Sequence, residues 1–455
     1  MSIWRKHRGQ QQWVWGVVVS LGMGIGSVVH ADTTAFQDPR SMAMGGTGVA
    51  SASLSAAAFF NPALLAMPEG KDHIGVELLG ISVHAADGNN YHDDYNNTKN
   101  LVNNVFPQAV NDYNAAVANP SSQSATVLAN DVRNMSSGVQ GLSGHDFILA
   151  PDVMPVSVAV HNPLLSFGVF TNVEADIAGR FNYSGKDQST LNNYVAVLNQ
   201  IGGGNLTTAE ATLLNNPNLL NPNASGCGGA HPTNQSVLSC LNNPQNTVTS
   251  SVEMVGLQMS EVGVALAEQW NGWAFGVTPK VQGIRTFNYA QYVRSNQTFS
   301  LSDVSKTYTT INFDAGAAYQ LPLFIPVKLG ASVRNLIPQN FDTVTNGVGN
   351  SYRVQVRPQV TAGGEAHVGP FTVTGDLDVL ENHAPVSWGS NTQFLGLGAE
   401  LNAWILKLRA GYRQNLIGGP LRNELTAGVA LGPLDVSASY SSYSAGIMAG
   451  LSMNF

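Results

Sequence analysis

The groups in this sequence that most resemble reactive ones are Asp376 and Asp378, two carboxylates that an extended strand would point to one face. Carboxylates at such spacing serve acid–base chemistry when their environments set their proton affinities apart. Here the nearby 404–413 segment carries Lys407, Arg409 and Arg413, so a charge ladder across an interior is the expected arrangement. His161 and His367 each stand alone near a turn or strand end, and neither GxSxG nor HExxH occurs. Gly45, Gly46, Thr47 and Gly48 read as a glycine-rich loop, but the Gly-Lys-Ser/Thr of a phosphate loop does not follow. Cys227 and Cys240 are not a CxxC pair; in an oxidising compartment they can form one local disulfide. The residues point to no enzyme, no cofactor and no metal.

The elements that hold these residues follow from composition and periodicity. The 455 residues are only 11% charged and include 47 glycines. That suits a wall with lipid on one side and a neutral polar lumen on the other. Residues 1–31 read as a cleavable leader: Arg5, Lys6 and Arg8 precede an uncharged, mostly apolar stretch from Trp13 to Val29, with small residues Val29 and Ala31 before the cut. Its removal takes three positive charges from 21, leaving 18 against 29 acidic groups, or −11. An exported acidic chain is a poor partner for nucleic acid, whose phosphates need Lys and Arg.

Alternation, the period of a two-faced strand, recurs through the chain. Ile447, Ala449, Leu451, Met453 and Phe455 share one face, and Met448, Gly450, Ser452 and Asn454 the other. Strands are expected near 73–84, 153–161, 164–183, 251–269, 272–290, 307–320, 325–334, 352–368, 371–379, 393–402, 404–413, 422–431, 434–441 and 444–455. That even count predicts an all-β fold, a fourteen-stranded antiparallel transmembrane β-barrel over 73–455. Phase slips near Leu78–Leu79 and Met259–Val262 are expected bulges. In the 352–368 segment Arg353 and Arg357 fall on the lumen side with Glu365 and His367.

Connections alternate between short turns, such as Asn162-Pro163 and Gly432-Pro433, and long loops at 85–152 and 184–250. Outer-membrane barrels have short periplasmic turns and longer extracellular loops. Trp270, Trp273, Tyr319, Phe324, Phe371, Trp404 and Phe455 cluster at the short turns, as an interfacial girdle would. Within the long loops, 99–119 and 190–216 are candidate helices.

Residues 32–72 precede the first strand and are rich in small side chains, interrupted by Pro39 and Pro62. Such a segment packs closely in a confined space, and a plug inside the barrel is expected. "MGGTGVA" followed by "FFNPALLA", with its Asn61-Pro62-Ala63 element, resembles the N-terminal hatch of FadL-like outer-membrane proteins. With "RNLIPQNF" at 334–341 and the "SASYSS" strand near the C-terminus, the chain resembles the TraF-type conjugal-transfer family of FadL-like barrels. The resemblance implies the same fold, with Gly45, Gly46, Phe59, Phe60, Asn61, Pro62, Ala63 and Leu64 in the hatch. These are candidate contacts for a hydrophobic small molecule, or they only anchor the plug. It implies passive transport of hydrophobic molecules; the alternative is an accessory role in conjugation or envelope assembly, with conjugation components as partners. A terminal Phe455 resembles the signal read by the outer-membrane assembly machinery, so lipid of the bacterial outer membrane is the expected surrounding.

Overall fold

The computed structural model describes residues 38–70, 72–87, 96–97, 99–144, 146–220, 227, 231–242, 249–292, 303–383, 391–418 and 422–455. The leader expected over 1–31 lies outside them. Among the described residues sixteen strands form in order: β1 Ile74–Asp87, β2 Asp146–Val160, β3 Ser166–Asn182, β4 Ser251–Trp270, β5 Trp273–Tyr292, β6 Ser305–Leu321, β7 Val327–Arg334, β8 Gln339–Asp342, β9 Arg353–Val356, β10 Gln359–Val368, β11 Phe371–Asp378, β12 Phe394–Ala403, β13 Leu406–Asn415, β14 Asn423–Leu431, β15 Leu434–Tyr440 and β16 Ser444–Asn454. Fourteen of them close into one antiparallel barrel, β16 pairing with β1 from Gly75↔Asn454 to Ala86↔Ser444. Closure removes the edges that an open sheet would leave exposed.

The alternation read from sequence sets the two faces. On β14, Glu424 and Thr426 are buried inside while Leu425, Val429 and Leu431 are exposed outside. On β5, Lys280 and Gln282 point in, and Phe275, Val277 and Val281 point out. A row of exposed apolar side chains recurs on strand after strand, far more than a water-facing surface carries. At the short-turn end, Phe324 is 97% and Trp404 89% exposed.

Two strand expectations change. The 352–368 segment is not one wall strand: it breaks at Arg357-Pro358, where proline offers no N–H to a ladder. Its first part, β9, pairs with β8 as a separate hairpin. Phe341, Val354 and Val356 of this hairpin are buried against Ala178, Val255, Leu257, Met259 and Ile284 of β3, β4 and β5. Those partners alternate with the outward residues of their strands, so the hairpin turns into the barrel. This also removes the bulge expected at Met259–Val262. The β3–β4 register runs unbroken there, and the apparent slip came from apolar side chains that face inward beneath the hairpin. The bulge near Leu79 is present, with a register shift between Leu78 and Ile81 and a left-handed φ of 53° at Leu79.

The long connections carry helices α3 Phe106–Ala118, α4 Ser122–Leu142, α5 Gly185–Gly202, α6 Leu206–Leu214 and α7 Asn234–Cys240. Ser121 and Thr233 open α4 and α7 with reciprocal caps to Ser124 and Ser236. Leu128, Tyr194, Leu198, Ile201, Leu213 and Leu238 pack into a core of their own, closed by a Cys227–Cys240 disulfide with Cα atoms 5.9 Å apart. Asp187 ties this cap to the barrel rim. Its carboxylate accepts from Thr249 N and Oγ1 at 2.9 Å and from Ser250 N at 2.6 Å and Oγ at 2.5 Å, just before β4.

Candidate functional site inside the barrel

The N-terminal segment supplies two short helices before β1, α1 Pro39–Ala43 and α2 Leu54–Phe60, and a 3-10 helix, Pro62–Ala66. Asp38 caps α1 by accepting from Arg40 N and Ser41 N; Asn61 caps the 3-10 helix through Ala63 N. Residues 38–67 are almost wholly buried. Helix α1 touches β13 to β16, α2 touches β1 to β4 and β16, and the 3-10 helix touches β3 to β6. These contacts run around the wall from β13 through β16 and on from β1 to β6.

Small wall residues make this approach possible. A Cβ at Gly276 of β5 would strike the Pro62–Ala63 peptide, and one at Gly330 of β7 would strike the Val49 carbonyl. Polar wall side chains then hold the segment by its backbone. Asp376 Oδ2 accepts from Gly48 N at 2.6 Å and Val49 N at 2.8 Å. Thr426 donates to Ala43 O and accepts from Gly45 N, both at 3.0 Å. Ser157 donates to Ser55 O at 2.6 Å, and Asn454 accepts from Ser55 N at 3.0 Å. Asn61 Nδ2 donates to Val49 O at 2.7 Å and reaches Ala317 O on β6 at 3.1 Å.

Arg40, which the sequence reading passed over, is the ionic centre of this docking. Its guanidinium lies 2.8 Å from Glu69, 3.3 Å from Glu400 and 3.7 Å from Glu365, and it donates to Ser51 O at 2.6 Å. A signal was present: Arg40 is the single Lys or Arg between residues 32 and 70. Glu69, Glu365 and His367 bring possible ligand atoms within 4.8 Å of one another. Lys328, 3.1 Å from Glu365, and Arg40 already balance those carboxylates, so the cluster is built as an ion-pair network.

The remaining candidate residues fall in different places. Phe59 packs edge-on against Phe60 and Phe170, beneath the guanidinium of Arg334 at 4.3 Å. Pro62, Ala63, Leu64 and Leu65 are buried in the same apolar cluster or beside it, and Gly46 N donates to Ser41 O at 2.8 Å. Among the described residues no ion pair within 4 Å joins Asp376 or Asp378 to Lys407, Arg409 or Arg413, although the charge of Arg413 acts on Asp378. Arg409 pairs with Glu400 at 2.6 Å and Asp435 at 2.5 Å. Arg413 stacks on Phe394 at 3.4 Å and lies 3.7 Å from Glu424. Asp378 accepts from Phe394 N, Asn382 and Thr361. Lys407 is half-buried near the short turn. Arg353 and Arg357 stand on and just after β9 of the hairpin and not on a wall strand: Arg353 pairs with Asp342, both exposed, and Arg357 bonds Gln355.

Outside the wall, the cap holds two carboxyls with altered proton affinity. Burial pushes Asp131 up to about 6, helped by its hydrogen bond to Asp112. Burial also acts to raise Asp187, but the Ser250 hydroxyl and the Thr249 amide outweigh it and hold that carboxyl below its ordinary value.

Apolar outside and charged and polar inside, with residues 38–67 packed against its wall, this is a transmembrane β-barrel. Its sequence matches the family described as "F plasmid transfer operon, TraF, protein" over residues 58–378, well over half of the chain, and the protein belongs to that family. No curated protein matches it. Among solved structures it is similar to the Ralstonia pickettii toluene transporter TbuX, at TM-score 0.46 and 12% identity over 92% of this chain and 98% of that one. The P. putida toluene transporter TodX gives the same values. A Pseudomonas aeruginosa FadL homologue gives TM-score 0.43 and 11% identity over 94% and 99%.

Proposed function

We propose that the protein is a passive, non-enzymatic route for small hydrophobic molecules across the bacterial outer membrane, with residues 38–67 as its hatch. The observation that carries this reading is how the segment is held. Its polar contacts with the wall run through side chains, from Asp376, Thr426, Ser157 and Asn454 to its backbone and from Arg40 to Glu365 and Glu400, and among the described residues none is a shared strand ladder. Such contacts can be exchanged for others while the barrel stays closed. An apolar exterior supports a membrane location, with residues 1–31 as the export signal and Phe455 as the assembly signal. The test is uptake of labelled toluene into liposomes containing the purified protein. Flux no greater than in empty vesicles would sink the reading.

A second reading, an accessory role in conjugal transfer, is favoured by the family match over 58–378. There the helical cap would be the partner surface. Loss of mating on deletion of the cap, with toluene uptake unchanged, would select it.

A further inference from the structure

Beside the Asp376–Gly48 contact lies a partly open space of about 90 Å³, between the N-terminal segment and the wall from β7 to β13. Its lining is unsuited to a pure hydrocarbon. The rings of Phe60 and Phe394 border it, and so do Arg334, Arg413, Asp376 and Asp378. Two cations and two carboxylates leave no net charge, so neither an anion nor a cation is selected. Two of the lining residues also carry a buried polar atom that is unsatisfied among the described residues. Arg334 Nε donates no hydrogen bond and Asp376 Oδ1 accepts none, although the two residues are only 8% and 7% exposed. Unsatisfied buried groups are rare in folded proteins and call for an explanation.

We infer that this space is a binding site for a small neutral ring compound bearing a hydroxyl, the phenol class. A hydroxyl is both donor and acceptor, so it can give its proton to Asp376 Oδ1 or accept from Arg334 Nε–H. The ring then lies among Phe60 and Phe394. Toluene offers the ring alone and leaves both polar atoms unmatched.

The size of the space couples binding to the segment. A dry cavity of roughly 150 Å³ holds benzene, so a ring seated fully within this smaller space must displace part of its lining. The part without side chains is the turn at Gly45 and Gly46, whose φ values of 75° and 86° glycine adopts without strain. That turn lies just before the Gly48 and Val49 amides held by Asp376, so a bound ring loosens the hold.

This inference deepens the transport reading, and its coupling step rests on that reading. The test uses the full mature protein, first in detergent for calorimetric binding and then in liposomes for flux, with phenol, anisole and toluene as ligands. Phenol is expected to bind at least about tenfold tighter than toluene, the effect of one buried hydrogen bond. Asp376→Asn keeps one oxygen for the two amides and replaces the free acceptor by a donor. It is expected to shift preference from phenol toward anisole, which can only accept. Equal binding of phenol and toluene overturns the inference, as does an unchanged phenol-to-anisole ratio in a variant that still shows the heat-dependent gel shift of a closed barrel. Phenol binding without flux of any ligand overturns the transport reading and leaves the site standing. Toluene flux without phenol preference does the reverse.

Discussion

The amide of Gly48 donates to Asp376 Oδ2 across 2.6 Å, joining residues 328 positions apart in the chain. With the Val49 amide on the same oxygen, one wall carboxylate holds two consecutive peptide groups of the segment inside the barrel.

Asp376→Ala removes that acceptor and leaves two buried amides unpaired. The expected cost to docking is about 2–3 kcal/mol, the range for a charged acceptor and its abandoned donors. Amide hydrogen exchange over 45–50 should quicken by at least about tenfold, while the heat-dependent gel shift of the barrel persists. Unchanged exchange would show that the carboxylate does not hold the segment.

Gly276→Ala puts a Cβ into the Pro62–Ala63 peptide, whereas Gly283→Ala on the same strand meets nothing nearer than Ser260 O at 3.9 Å. The first should destabilise the docked 3-10 helix by about 1–3 kcal/mol, as overpacking does, and the second should be nearly silent. Protease access to residues 60–66, compared between the two variants, decides it. Equal protection in both would mean the close approach is not needed.

The cap should loosen on acidification. The Asp187 carboxyl is held below its ordinary value of 3.8 by donors that exist only in the folded cap, so its stabilising contribution is present above that pH. It is lost as pH falls through the lowered folded value. The Asp131 carboxyl has the opposite sign: raised to about 6, it favours the folded cap below 3.8 and ceases to as pH rises through 6. Protection from amide exchange at Thr249 and Ser250, corrected for the intrinsic pH dependence of exchange, should fall in acid for the native protein. Asp187→Asn should flatten that fall; a curve of the same shape would contradict it.

Reduction of Cys227–Cys240 should act on the cap alone. Opening a bridge of sequence separation 13 costs roughly 3 kcal/mol in the chain-entropy account. Reductant should lower the temperature at which helical circular dichroism is lost and leave the strand signal in place. A barrel that melts together with the cap would refute their independence.

Val281, 52% exposed on the outer face of β5, neighbours the buried Gln282. Val281→Arg should cost about 2–4 kcal/mol if that face meets the lipid midplane. Refolding titrations into lipid vesicles would measure it, and a neutral result would remove the lipid from this face.

The wall was largely legible because period-two alternation is a local property. Leu425 against Glu424 and Val281 against Gln282 already declare two solvents on two sides of a strand. The 352–368 segment misled for the same reason. Val354 and Val356 alternate as lipid-facing residues would, yet they bury against Val255 and Leu257 inside the barrel. Their greasy side chains do not say which apolar surface will cover them.

The order of neighbouring side chains was enough to give the fourteen wall strands and their closure into a barrel. Which charges meet was settled by folding in three dimensions. Arg40 finds Glu365 and Glu400, Arg409 finds Asp435, and Asp376 takes backbone amides in place of the expected cations. Partners of that kind are chosen by barrel closure and by the path of a terminus through the lumen. Both bring together residues hundreds of positions apart, beyond the reach of any local pattern.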